Sequence, residues 1–239
     1  LLTREEKDTI FLSWEEKLSL SAQGGLWHYE STLGSLYDTT EKDVNLNPFF
    51  TFRPINFSTY YGISNSLQNS PKQEFRTSVF EQARTLAASC SIKTSDGYII
   101  IQRRGTDVLE PNKYDISAAG MAVVKNEKLD FKETILDRIN KEFMITREEL
   151  NSFHATGFHR VRMISGTVQA TYTADTIKTL EQIQEETRLR YQNNPTRVSK
   201  ITGVKENRLL DFMISHYKEG DIINDGVAAL TLGMNKPDF

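Results

Sequence analysis

The sequence predicts a domain of the α/β or α+β class built on a mixed sheet. Three observations predict it. A hairpin signal, "LAASCSIKT" and "YIIIQRR" on either side of the turn "SDG", stands in the middle of the chain. Helical patterns alternate with strand patterns after it. The region before it is aromatic and β-branched, as strands are.

The elements follow in order. Thr3–Leu20 reads as a helix, with Thr3 and Glu6 as a capping box and Ile10, Phe11, Trp14 and Leu18 at helical spacing. Gly24–Gly25 opens a strand-rich stretch, "LWHYESTLGSLYDTT" and "FFTFRPINF", joined by the polar "EKDVNLN". Residues 73–86 are ambiguous, with helix as one reading. Ala87–Arg103 is the hairpin, "TDVLEPNKYD" a loop, and Ile116–Met121 a short strand. Phe131–Met144 is a helix whose apolar stripe is Ile135, Leu136, Ile139 and Phe143. "TREEL" from Thr146 caps a further turn. "FHRVRMISGTVQATYTA" alternates as a strand or hairpin, Thr176–Gln192 is helical, and Lys205–Lys218 is a last long helix. "DGVAALTL" adds a strand or a helix near the end. The expected division is an extension over 1–86, a helix plus strands packed on the core, and a core over 87–239 with C-terminal helices.

Composition narrows the function classes. The 239 residues carry 29 basic and 32 acidic side chains, a net charge of −3. No basic excess points to nucleic acid, and none is expected as a partner. A single cysteine, Cys90, excludes an internal disulfide or a cysteine-rich zinc site; it is expected buried and inert on a core strand. No apolar run of about 18 residues exists, so no membrane span is expected. No signal-peptide pattern is visible, and a cytoplasmic protein is expected, although the sequence opens on Leu1 and leaves open a segment upstream. No P-loop, G-x-G-x-x-G, H-E-x-x-H or G-x-S-x-G motif is present. Trp27 and Tyr60–Tyr61 are read as core aromatics, with stacking on a base or sugar as the alternative. His154 and His159 read as separate structural or surface histidines, without an evident third metal ligand.

The run from Ala87 to Ile145 resembles the Nudix superfamily. "DGYIIIQRR" is similar to that family's strand ending in arginines. "AAGM", ending at Gly120 and Met121, stands where the family has Gly-Gly, and "ILDRINKEFMI" stands where the second half of the Nudix box falls, R-E-U-x-E-E-x-G-U with U aliphatic. The layout "SWEEKL … GGLWHYESTLGSL … FFTFRPINFSTYYGISNSL" resembles the N-terminal extension of the UDP-glucose/UDP-galactose pyrophosphatase branch. The resemblance implies an α/β/α sandwich with a mixed sheet and a strand-rich N-terminal extension. It also implies Mg²⁺ ions held by box carboxylates against a pyrophosphate.

The box is degenerate where that chemistry lives. In its register Asp137 takes the arginine position, Arg138 and Lys141 take two glutamate positions, Glu142 keeps the last, and Met144 replaces the glycine. Leu129 stands at the leading glutamate, for which Glu127 or Glu133 could substitute. A divalent ion a few ångströms from Arg138 and Lys141 would be repelled by several kcal/mol even at an effective dielectric of about 20.

Candidate roles follow. Glu142 is the candidate catalytic residue and, with Glu133, the candidate metal ligand. Arg103 and Arg104 are candidate phosphate clamps at a strand end, and Arg138 and Lys141 candidate direct phosphate ligands. The competing reading of the helix is a solvated face of i,i+4 ion pairs, Arg138 with Glu142 and Asp137 with Lys141. A relocated metal site would draw on Glu142 with Glu133, Glu127 or Glu148–Glu149. The implied activity is a divergent, weak or inactive hydrolase of a nucleoside diphosphate linked to another moiety, such as a nucleotide sugar, using Mg²⁺ if active. The alternative is a Nudix-fold module that has lost catalysis and kept a ligand- or protein-binding surface.

Overall fold

The computed structural model describes residues 32–39, 50–56, 85–105, 111–125, 128–160, 167–191 and 198–234. The readings of Thr3–Leu20, of Trp27 and Tyr60–Tyr61, and of most of 73–86 lie outside them, as does Glu127. In chain order the first strands are β1 (Thr32–Thr39), β2 (Phe50–Asn56), β3 (Leu86–Lys93), β4 (Tyr98–Arg104), β5 (Tyr114–Ile116) and β6 (Ala118–Met121). They are followed by β7 (Val124–Lys125), β8 (Lys128–Leu129), β9 (Leu150–Arg160), β10 (Val168–Thr176) and β11 (Val198–Lys205). The helices are α1 (Phe131–Phe143), α2 (Leu180–Tyr191), α3 (Leu209–Glu219) and α4 (Asn224–Met234).

The chain groups into two compact units. The first draws on Leu1–Ala87, Met121–Asp130 and Arg160–Gln169. Within it β1 pairs antiparallel with β2, from Thr32 opposite Asn56 to Thr39 opposite Phe50, and β7 pairs with β8. The second unit holds Ala88–Gly120, Phe131–His159 and Ala170–Phe239.

The main sheet runs β11-β4-β3-β10-β9, with β5 on β4 and β6 on β3. Period-two alternation sends successive side chains to opposite faces, and each face of the second unit has its own core. Ala88, Cys90 and Ile92 of β3 and Ile100 of β4 pack with Ile135, Ile139 and Phe143 of α1 and Ile183 of α2. Ile99 and Ile101 of β4 pack on the other face with Leu209 and Met213 of α3 and Ala229 and Leu230 of α4. Two helices on each face of a mixed sheet make an α/β/α sandwich, the expected class. Cys90 is buried, its thiol donating to the Ser91 carbonyl.

The hairpin is present. Gly97 of "SDG" takes φ 81°, which a side chain resists, and Thr94 N–H closes the turn onto Tyr98 O at 2.8 Å. α1 runs as expected, with Ile135, Ile139 and Phe143 buried. "TREEL" makes a 3₁₀ turn, Arg147–Glu149, in which the Glu149 carboxylate accepts the Thr146 N–H at 2.8 Å.

Three expectations need correction, and one strand went unread. Ile116–Met121 is two strands, because the chain leaves β4 for β3 at Ser117. The buried Ser117 hydroxyl donates to Ile100 O and accepts Ile92 N–H at 3.0 Å, filling the ladder between those strands. The helix placed at Thr176 starts at Leu180, since Thr176 ends β10. Val198–Lys205, mostly left unassigned by the sequence reading, is a strand paired along the whole of β4. The last long helix starts at Leu209, after a 3₁₀ turn at Glu206–Arg208, because Lys205 closes that strand. "DGVAALTL" falls in α4.

Candidate functional site

β6 and α1 bring Gly120 and Arg138 together. A methyl group on Gly120 would stand 2.6 Å from Arg138 Nε and 2.9 Å from its Cγ. Only a glycine lets the Arg138 side chain lie so close to the strand. From there Arg138 reaches one helical turn on, its Nη1 3.6 Å from Glu142 Oε1. Glu142 keeps only 14 % of its side chain exposed. The last acid in the box register is thus beside a guanidinium.

Lys141 and Glu133 stand elsewhere on the helix. Lys141 Nζ is 2.7 Å from Asp137 Oδ2, an exposed i,i+4 pair. Glu133 pairs with Arg147 at 2.5 Å, again in solvent. At about 1.5 Å rise per residue, Glu133 and Glu142 lie ~13 Å apart along the axis, so they do not share an ion. Glu149 is engaged by Lys178 at 3.1 Å. Mg²⁺ demands several oxygen ligands at about 2.0–2.1 Å. The described residues of α1 offer Glu142 alone at the box positions, with Arg138 against it. These residues do not fit a Mg²⁺–pyrophosphate site.

Arg103 diverges from α1. Arg103 donates from Nε to Asn112 O at 2.9 Å, and its guanidinium carbon lies 5.2 Å from the Tyr114 ring centroid. Tyr114 packs against the core shared with α3 and α4, so Arg103 stands on the face of the sheet opposite α1. Arg104 Nη1 meets Asp115 Oδ2 at 2.7 Å, and Asp115 is 2 % exposed. Its other oxygen accepts the Ile116 N–H at 2.8 Å. Burying a carboxylate requires such partners, and Arg104 serves the β4–β5 junction. His154 is exposed, and His159 Nδ1 lies 3.0 Å from Thr171 Oγ1.

Sequence reasoning missed Lys178. Its ammonium, 11 % exposed, reaches Glu186 at 2.6 Å, Met144 O at 2.7 Å and Glu149 at 3.1 Å. Burial pulls its pKa down, but hydrogen bonds to Glu186 and Glu149 outweigh that and raise it. Burial likewise pushes Glu149 up, while the Thr146 N–H and Lys178 outweigh it and hold Glu149 below the usual value. The hub ties the segment after α1 to α2. Its partners are scattered along the chain, so no local motif announces it. Met144, which the resemblance aligns with the box glycine, takes φ 56°. That left-handed turn is the conformation for which glycine is chosen at helix ends.

No family model and no curated protein matches this chain. Among solved structures it is similar to DR0079 from Deinococcus radiodurans, at 18 % identity and TM-score 0.45 over 63 % of this chain and 83 % of that one. It is similar to a Nudix hydrolase from Nitrosomonas europaea, at 7 % identity and TM-score 0.44 over 62 % and 86 %. It is also similar to a MutT protein from Methanosarcina mazei, at 14 % identity and TM-score 0.38 over 56 % and 94 %.

Proposed function

We propose that this protein is a Nudix-fold binding module that has given up Mg²⁺-dependent pyrophosphohydrolysis. One observation carries the reading: Arg138 lies against Gly120 and beside Glu142, in the space where the Nudix resemblance implies metal. The resemblance itself rests on "DGYIIIQRR", "AAGM" and "ILDRINKEFMI". It is supported by their placement on a strand, on a second strand and on the helix packed beneath the sheet. The ligand class the resemblance implies is a nucleoside diphosphate linked to another moiety, a nucleotide sugar being one example.

The chemistry available to α1 differs from hydrolysis. Arg138 and Lys141 provide donors without acceptors, suited to holding anions rather than to activating water. Both are already paired with carboxylates, so an anion must compete with Glu142 and Asp137. A helix of this kind can serve a bound ligand or protein by shape and charge while leaving phosphoanhydride bonds intact.

The test is release of nucleoside monophosphate from UDP-glucose and other nucleoside diphosphate-linked compounds in Mg²⁺, with calorimetry on the same ligands. The expected result is no Mg²⁺-dependent release, together with binding that EDTA leaves unchanged. Turnover of about 1 s⁻¹ or faster that Glu142→Gln abolishes would overturn the reading.

A further inference from the structure

The C-terminal end of α3 gathers three metal-ligating side chains, independently of α1. His216 lies in the last turn of the helix and Glu219 ends it, so the two share a face. Gly220 then turns left-handed at φ 73°, its N–H capping the His216 and Tyr217 carbonyls. That reversal returns Asp221 to the histidine ring. His216 Nδ1 stands 2.8 Å from Asp221 Oδ1 and 3.6 Å from Glu219 Oε2. One ligand atom from each residue lies within 4.8 Å of the others. Ligands at about 2.0–2.1 Å in a tetrahedron stand roughly 3.3–3.5 Å from one another, so modest side-chain rotation closes this set on an ion.

Two of the three groups are placed by contacts outside the cluster. The His216 ring packs against Tyr114, with centroids 4.7 Å apart, and against Phe212, at 4.2 Å. Those two rings meet edge to face at 5.3 Å. Asp221 is tied by its backbone, whose carbonyl accepts the Tyr114 N–H at 2.7 Å and whose N–H donates to His216 O at 3.1 Å. Glu219 is 62 % exposed, which leaves an entry path and a side open to water.

We infer that His216, Glu219 and Asp221 form a binding site for one divalent transition-metal ion of the Zn²⁺ class, with a fourth position open to water. The donor set selects the class. An imidazole nitrogen suits Zn²⁺, Co²⁺ or Ni²⁺ and is foreign to the all-oxygen shells of Mg²⁺ and Ca²⁺. With neutral imidazole, the two carboxylates balance a 2+ charge. The ion would fasten the end of α3 to β5 through the Asp221–Tyr114 backbone bond.

The test is Co²⁺ titration of the EDTA-stripped full chain, followed by its visible d–d absorption and by competition with Zn²⁺. The expected result is saturable binding of one ion per chain, displaced by Zn²⁺, and a melting temperature raised by the metal. Glu219→Gln, an exposed change that leaves the packing intact, and His216→Asn should each weaken binding by at least the roughly tenfold loss that even an outer-shell change causes. Absence of saturable absorption would overturn the inference. So would equal affinity in wild type and both variants, which would leave His216 as a helix-end partner of Asp221 and nothing more.

Discussion

Arg138 lies against Gly120 so closely that a single added carbon would sit 2.6 Å from its Nε. The contact reaches Cγ as well, at 2.9 Å, so swinging only the tip of the side chain does not relieve it. Gly120→Ala is expected to force a new Arg138 rotamer, break the pair with Glu142 and cost about 1–3 kcal/mol. Adding Arg138→Ala should recover part of that loss, because the two residues act as neighbours. Urea denaturation of the two single variants and the double variant reads the coupling directly.

Met144 is a residue out of place by local rules. It holds φ 56° immediately after α1, where a side chain costs about 1–2 kcal/mol relative to the right-handed form. Met144→Gly is expected to raise stability by roughly 0.5–1 kcal/mol after the added unfolded-state entropy of glycine is counted. A thermal melt that moves down rather than up would show that Met144 packing outweighs the backbone term.

Lys178 should govern the pH response of the region after α1. Glu149 titrates below its ordinary 4.5 because the Thr146 N–H and Lys178 outweigh burial. Its stabilisation is present above about 4.5 and is lost as pH falls through the lowered value. Lys178 titrates above its ordinary 10.5 because its carboxylate partners outweigh burial. Its stabilisation is present below about 10.5 and is lost as pH rises through the raised value. Lys178→Met is therefore expected to cost about 2 kcal/mol between those limits, chiefly through Glu149 and the Met144 carbonyl, since Glu186 is 42 % exposed. The gap between wild type and variant should shrink at both ends of a pH series of denaturation curves.

Local signals were legible in the sequence, and contacts across the fold were not. The "SDG" turn and the Ile135, Ile139 and Phe143 stripe each sit within one element, and the structure holds them where periodicity puts them. The start of α2 was misplaced at Thr176 although its cap is local: Gln182 Oε1 accepts Thr179 N–H at 2.9 Å and Thr179 Oγ1 accepts Gln182 N–H at 3.3 Å. β11 hid because its pattern is broken. Among the residues whose burial is described, only Ile201 and Val204 are buried on it, three positions apart, and Gly203 interrupts them. That glycine is required by a partner elsewhere in the chain, since a methyl there would collide with Leu180 and crowd Tyr98. The candidate site divides in the same way. The Arg138–Glu142 and Asp137–Lys141 pairs follow from helical spacing, whereas the divergence of Arg103 from α1 depends on which face of β4 each core occupies.

With Arg138 beside Glu142, the α1 face is expected to hold no Mg²⁺. Paramagnetic broadening by Mn²⁺, which takes the same oxygen ligands, locates a bound ion by residue in the NMR spectrum of the full chain. No saturable broadening centred on Gly120, Arg138 and Glu142 is expected, and any effect near His216 remains separate from it. Saturable broadening of those α1 and β6 amides, lost in Glu142→Gln and competed by Mg²⁺, would show that Glu142 holds a metal ion there.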